Sequence, residues 1–402
     1  MPKTLYTEMN LCDGNEVVNK TDSWMLVGDD GRIESIGTGA DAMPAADATV
    51  DLTGKYVMPG LINCHVHTMG DALDPRLTMF SETEVAYRSI KNLHRAISCG
   101  ITTLRECASA FSVDCKLASL QRKGELADVP TIVPSGRPMS IIGGHGDMLE
   151  GLEGESNLGH LVSSPDEMRK AVREEFKLGA KNIKLMSTGG VMSPNDRVDD
   201  TELTVEEMKV AVEEAHHKHM TVCAHAQGTE GVHNALVAGV DSIEHGSLIS
   251  EDDMRLMVAN GQYLVPTLLP CWAITEYGEG KIPQYMIDKN KGFGHRFFDN
   301  IAKAASLGVR IAMGTDAGTP FNDLTDTPHE LVLMREIGCT VEQIMHACGP
   351  TAAQLLKIDA DYGTLEPGKY AAFLVLDADP IANVAAVSQK DKAVYKHGVR
   401  VH

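Results

Sequence analysis

The sequence predicts an α/β fold, a TIM-like (β/α)8 barrel with a small β-sandwich domain built from both chain ends. Three observations lead there. Through the middle of the chain, short apolar strands ending in polar or ionisable residues alternate with helical stretches, the pattern of βα units around a parallel sheet. Strand-and-turn segments occupy both ends. The length of 402 residues exceeds one ordinary compact domain but fits one large barrel carrying a smaller accessory part.

In chain order, residues 1–58 hold β-like runs, "SWMLVGDDGRIESIG" and "ATVDLTGKYVMPG", joined by Asp-Gly and Thr-Gly turn signals. The barrel is assigned to residues 59–357. Its eight strands are "GLINCHVH", "ITTLREC", "TIVPSG", "NIKLMS", "TVCAHA", "SIEHG", "YLVPTL" and "RIAMGTD". Helical stretches such as "SETEVAYRSIKNLHRAISCG", "SPDEMRKAVREEFKLG" and "TVEEMKVAVEEAHHKH" fill the gaps. Residues 358–402 return to strands, "GTLEPGKYAAFLVLDADP" and "VYKHGVRVH", with Pro-Gly and His-Gly turns, so the two ends are expected to meet in one small β-sandwich.

Composition then narrows the function. Hydrophobic residues make up 43% and charged residues 23%, as in soluble globular proteins. A formal net charge of −20 argues against partners that need clustered Lys and Arg, so neither nucleic acid nor an anionic membrane surface is expected. The sequence shows no apolar h-region at its start and no apolar run of about 18 residues, so neither export nor insertion is signalled. Nine cysteines without a CxxC spacing read as small buried hydrophobes in a reducing compartment. The expectation is a cytoplasmic homo-oligomer acting on a small molecule.

The chemistry starts at "INCHVHTMGD". In an extended strand, positions i and i+2 point to the same side, so His65 and His67 could grip one object. Active sites of such barrels lie at the C-terminal strand ends, and other ionisable residues stand there too: Lys184 on the fourth strand, His225 on the fifth, His245 on the sixth and Asp316 on the eighth. Imidazole and carboxylate suit Zn²⁺ and similar divalent ions, which makes a metal hydrolase the natural reading. In "SGRPMSIIGGHGD", His145 sits among glycines that let backbone and ring approach a ligand, while Arg137 there reads equally as a salt-bridging barrel residue. Gly189 and Gly190 permit a tight loop over the mouth. The "HHKH" stretch at 216–219 reads as solvated surface on the opposite face, His329 as part of a helix start, and Cys64 and Cys223 as packing residues turned away from the ligands by strand alternation.

The segments "VMPGLINCHVH", "IKLMSTGG", "TVCAHAQG", "SIEHGS", "MGTDAG" and "LEPGKYAAFLVLDADP" closely resemble the amidohydrolase superfamily, in particular its prolidase-like and imidazolonepropionase-related branch, over nearly the whole chain. The resemblance implies two divalent metals, usually zinc, bridged by Lys184 carboxylated on its amine, and hence a requirement for CO2 or bicarbonate. A carbamate is an anion that can span two dications where an ammonium would repel them. By the same resemblance His65, His67 and Asp316 hold the more buried metal, His225 and His245 the other, and a hydroxide bridges both. Asp316 then takes the proton of that hydroxide and hands it to the leaving amine. His145 contacts the substrate carbonyl.

The implied activity is cleavage of Xaa-Pro or other dipeptides, or of N-acyl amino acids. A cyclic-amide hydrolase is the alternative. Deaminases of the superfamily generally use one metal without a bridging lysine, and Lys184 speaks against them; a metal-free scaffold is opposed by the complete ligand set. Some prolidase-like relatives carry a tyrosine where Gln227 stands, and this departure counts against a proline preference. Arg197, in the loop after the fourth strand, is a candidate for a substrate carboxylate.

Overall fold

The computed structural model describes residues 2–39, 43–71, 80–149, 153–154 and 156–402. Strands β1 (Thr4–Leu11), β2 (Lys20–Val27), β3 (Ile33–Thr38), β4 (Ala48–Asp51) and β5 (Tyr56–Pro59) come first. The middle of the chain carries β6 (Leu61–Val66), β7 (Ile101–Glu106), β8 (Thr131–Val133), β9 (Met139–Ser140), β10 (His160–Leu161), β11 (Asn182–Met186), β12 (Thr221–Ala226), β13 (Ser242–His245), β14 (Tyr263–Val265) and β15 (Arg310–Ile311). The chain closes with β16 (Phe373–Leu376), β17 (Ala393–Lys396) and β18 (Val399–Arg400).

Both chain ends contribute to one eight-stranded sheet of order β18-β17-β16-β5-β1-β2-β3, with β4 paired to β1. The junction is the antiparallel pairing of β5 with β16, Val57 opposite Val375. Alternation gives this sheet one aromatic-rich apolar face, where Tyr6, Met25, Ile33, Phe373 and Tyr395 pack together and the last two rings stack at 4.4 Å. Trp24 packs with Leu5 and Leu26 in a separate cluster.

Each of the eight strands read from the middle of the sequence is present. The two-residue strands β9 and β10, inside the third connection, are additional and too short to leave a periodic signal. All pair in parallel, β6-β7-β8 in one sheet and β10-β9-β11-β12-β13-β14-β15 in another. Backbone hydrogen bonds join the two sheets on either side. Cys64 N–H donates to Met313 O at 2.8 Å and Asp316 N–H to His65 O at 2.8 Å, while Asn182 N–H donates to Pro134 O at 3.1 Å.

The helices between them are α1 (Glu82–Ser98), α2 (Val113–Arg122), α3 (Pro165–Leu178), α4 (Val205–His216), α5 (Thr229–Ala238), α6 (Glu251–Asn260), α7 (Leu268–Tyr277), α8 (Gln284–Ser306) and α9 (Thr327–Glu336), followed by α10 (Val341–Ala347) and α11 (Pro350–Leu355). Their starts follow from local chemistry. Ser81 with Glu84 and Thr204 with Glu207 form capping boxes, each cap contributing about 1 kcal/mol. Ser164 caps α3 with Pro165 in its first turn, and Gly179 ends it at φ 110°.

Period-two alternation decides what the strands offer each layer. On β11 and β12, Ile183, Leu185, Val222 and Ala224 join the core formed with Met168, Val172 and Met208 of α3 and α4. Lys184, Cys223 and His225 therefore face the other way, into the interior enclosed by the strands. This corrects the expectation for Cys223: standing two positions from His225, it shares that ligand's side. Its sulfur accepts a hydrogen bond from Asn182 Nδ2 at 3.1 Å. Cys64, adjacent to His65 rather than two away, packs outward with Ile62 and Ala352. The "HHKH" stretch ends α4 at the surface, with His216 Nε2 on Asp241 Oδ2 at 2.9 Å.

Candidate metal centre

His65 ends β6 together with Val66, His67 follows directly, His225 is near the end of β12 and His245 ends β13. His245 (φ 70°) and Asp316 (φ 53°) both adopt left-handed backbone, which non-glycine residues avoid unless the surroundings hold them there. All six expected ligands, Lys184 among them, line one cleft together with Gln227 and His145. Its remaining wall is largely apolar, with Met69, Met148, Met186, Ile274, Phe293 and Phe297 among the contributors.

Four ligands converge. Asp316 Oδ1 lies 3.0 Å from His67 Nε2 and 3.3 Å from His65 Nε2, and Lys184 Nζ lies 3.4 Å from His65 Nε2. The rings of His225 and His245 follow at a centroid distance of 4.6 Å, and those of His65 and His245 at 5.1 Å.

In each imidazole one nitrogen is engaged by protein. His65 Nδ1 donates to Glu244 Oε2 at 2.7 Å, His67 Nδ1 to Ala108 O at 3.4 Å and His225 Nε2 to Gly189 O at 3.1 Å, while His245 Nδ1 meets the Thr267 hydroxyl at 2.7 Å. Carboxylates and carbonyls only accept, so His65 and His67 carry their hydrogens on Nδ1 and turn the lone pairs of Nε2 toward Asp316 Oδ1. Acceptors aimed at an acceptor fit a cation between them. This is the ligand chemistry of a divalent metal held by oriented, neutral imidazoles.

Charge follows the same arrangement. Burial, the neighbouring imidazoles and Lys184 push His225 and His245 well below the usual histidine range, keeping them neutral as ligands must be.

Beneath the mouth lies a second set of buried charges. Arg105 Nη2 donates to Glu244 Oε1 at 2.7 Å, Arg105 Nε to Cys64 O at 2.6 Å and Arg105 Nη1 to Ser242 Oγ at 3.1 Å; Ser242 Oγ donates to Glu244 Oε1 at 2.6 Å. His65, Cys107 and Glu244 also cluster closely enough to suggest a metal site. Glu244 is already saturated by Arg105, Ser242 and His65, so this group reads as the brace that orients His65. Sequence reasoning passed over it, although a charge inside each of the apolar strands "ITTLREC" and "SIEHG" was a visible signal.

His145 presents a ring stacked on His225 at 4.3 Å and 27°. Its Nδ1 lies 2.6 Å from Ser193 Oγ and 3.4 Å from Asp196 Oδ2. Gly190 is required here, since a Cβ would stand 2.3 Å from His145 Cε1. Gln227 lines the cleft with Nε2 donating to Ser247 Oγ at 3.3 Å. Arg197 does not join the site: its side chain is 75% exposed and its guanidinium pairs with Asp199 at 3.1 Å, a partner two residues away that ties it to its own loop. Arg137 serves structure, donating to the carbonyls of Ser156 and Gly159, and His329 stacks on Trp272 at 4.4 Å outside the cleft.

Residues 56–401 match the amidohydrolase family. Ochratoxinase of Aspergillus niger is 29% identical over 399 residues, covering 92% of this chain and 80% of that protein. Imidazolonepropionase of Methylobacterium nodulans is 26% identical over 376 residues, covering 87% of this chain and 86% of that one. A solved Xaa-Pro dipeptidase with methionine bound in its active site superposes with a TM-score of 0.91 at 29% identity, covering 99% of both chains.

Proposed function

The chain belongs to the amidohydrolase family, and from that premise we propose that it is a two-metal hydrolase that cleaves the amide bond of dipeptides or N-acyl amino acids. One observation carries the reading: His65, His67, Lys184, His225, His245 and Asp316 line a single cleft, each imidazole with one nitrogen already held by protein. The accompanying fold is a (β/α)8 barrel over 59–357 borne by a small β-sandwich domain from 1–58 and 358–402. It is supported by the hydrogen bonds that join the two parallel sheets.

His65, His67 and Asp316 would hold one divalent ion and His225 and His245 the other, with Lys184, carboxylated on Nζ, between them; zinc suits this nitrogen and oxygen set. Two ions bound there supply an acidified water and a polarised carbonyl. Asp316 would accept the proton of the attacking water and return it to the leaving amine nitrogen. His145 would contact the substrate carbonyl or the developing oxyanion, and the apolar wall excludes bulk water from the reacting centre.

Of the similar proteins, the Xaa-Pro dipeptidase is named for a dipeptide and imidazolonepropionase for an imidazolone, which supports an open-chain amide as the first substrate class to test and a cyclic one as the second. Metal analysis of the purified protein is expected to find two divalent ions per chain. An amine-release screen over dipeptides, N-acyl amino acids, lactams and hydantoins is expected to give turnover on an open-chain amide. Turnover of a cyclic amide alone would sink the substrate assignment, and a metal-free, inactive protein after reconstitution would sink the hydrolase.

A further inference from the structure

The loop after β11 carries a buried polar assembly that the reaction outlined above does not use. Ser193, Asp196 and His145 are all under 10% exposed. Asp196 spends both carboxylate oxygens. Oδ1 accepts from Lys289 Nζ of α8 at 2.8 Å and from Gly190 N–H at 3.2 Å, and Oδ2 faces the Ser193 hydroxyl, which donates to it, and His145 Nδ1 at 3.4 Å. Lys289 completes its three donors on Gly190 O at 2.8 Å and Ser193 O at 2.6 Å, so its ammonium is saturated within the loop.

We propose that Asp196, Ser193 and Lys289 are positioning residues that set the tautomer and ring angle of His145 toward the substrate carbonyl. The inference rests on the reading of His145 as the residue that meets that carbonyl. Every degree of freedom of the ring is fixed from the protein side. The main chain is held by Glu202, whose carboxylate accepts His145 N–H at 2.8 and 3.0 Å. The faces are held by His225 and by Gly190.

The remaining freedom, a flip about χ2, is closed by acceptors at Nδ1. Ser193 gives its own hydrogen to Asp196, so its oxygen accepts from His145 Nδ1–H, and an ionised Asp196 sits behind it as the terminal acceptor. Nδ1 thus points away from the cleft with its hydrogen committed, and among the described residues no hydrogen bond is made at Nε2. Burial would raise the Asp196 carboxyl, but His145, Lys289 and Ser193 together hold it at about 2, so the terminal acceptor stays an anion. The chain Asp196–Ser193–His145 thereby commits the Nδ1 hydrogen and leaves Nε2 as the ring nitrogen without a protein partner among the described residues. Lys289 provides the mechanical half. It pins the loop that carries Ser193 and Asp196 onto a helix of the scaffold, so the ring's orientation is set by the fold.

The test is a double-mutant cycle on the metal-loaded enzyme, using the amide found in the amine-release screen, with thermal unfolding of each variant as control. Asp196→Asn is expected to lower kcat about 10–100-fold, the range for lost outer partners of a functional histidine, with KM changing far less. In a His145→Ala background the same replacement is expected to cost nothing further. An equal loss in both backgrounds would overturn the inference and leave the amide hydrolase standing. An unchanged kcat in His145→Ala would overturn both the inference and the role given to His145. A measurement independent of variants and turnover is nitrogen-15 NMR of histidine-labelled wild-type protein. His145 is expected as the Nδ1–H tautomer, and an Nε2–H tautomer would refute the arrangement.

Discussion

One layer below the mouth, Arg105 and Glu244 meet at 2.7 Å, and Ser242, Cys64 O and His65 take up the bonding capacity left to them. At the mouth itself, imidazole lone pairs and a carboxylate oxygen face one another across 3.0 and 3.3 Å. Strands β6 and β13 serve both layers, joined by β7 below and by β11 and β12 above. The lower layer is electrostatically finished by the chain alone; in the upper one acceptors remain aimed at an acceptor, beside Lys184, whose Nζ lies 3.4 Å from His65 Nε2. A structural charge pair and a ligand set can therefore be told apart by their unmet demand, even where both are buried.

Breaking the upper layer has the largest expected consequence. Lys184→Ala is expected to lower kcat by about 10³-fold or more, a loss of at least about 4 kcal/mol of transition-state stabilisation, together with the paired metal content. Partial recovery with a short carboxylic acid, read by turnover, would mark the lost group as an anion; unchanged activity would remove Lys184 from the site.

Breaking the lower layer acts on stability. Arg105→Met strands the Glu244 charge and is expected to destabilise by about 3–5 kcal/mol in denaturant unfolding, while Arg105→Met combined with Glu244→Gln recovers much of the loss. Equal losses in single and double variants would show that packing, not charge, dominates there.

Glu244→Gln alone probes the link between layers. It leaves His65 without its anionic acceptor and is expected to weaken metal binding about 10–100-fold, measured by competition with a chromogenic chelator.

The smallest effect is read against pH and compares two buried cations. Arg105 has a carboxylate, whereas Lys396 on β17 has only carbonyls, donating to Val129 O at 2.6 Å, and its amine is pushed down from the usual 10.5 to about 8 by burial. A folded value below the unfolded one means that stability grows as pH rises from about 8 to 10.5 and is lost on returning through 8, at a slope of at most about 1.4 kcal/mol per pH unit. Lys396→Met is expected to flatten that window in thermal unfolding at pH 7 to 10.

The upper layer was the legible one. His65, His67, Lys184, His225, His245 and Asp316 announce themselves as ionisable residues at the ends of apolar strands, and strand alternation carries them to one side. The partners that orient them are hidden by distance. Glu244 serves His65 from five βα steps of sequence later, and Lys289 reaches Asp196 from helix α8. The charge inside "SIEHG" marks Glu244 as unusual, but which residue it serves cannot be read before the strands are laid side by side. Arg197 failed for the opposite reason, because its carboxylate partner, Asp199, was close enough in sequence to claim it. The family resemblance added metal count and carbonyl ligand, which no spacing in the chain encodes.

The pairing of β5 with β16 also has a meaning in time. During synthesis β1 to β5 emerge first, but the strand that covers the open edge of β5 is made only after the entire parallel-strand region. Until then Val57 and Met58 present unpaired backbone and apolar side chains to the surroundings, the kind of edge on which nascent chains associate. Completion of the small sheet therefore waits for a strand made after the whole parallel-strand region, and this long-range pairing raises the contact order of the fold.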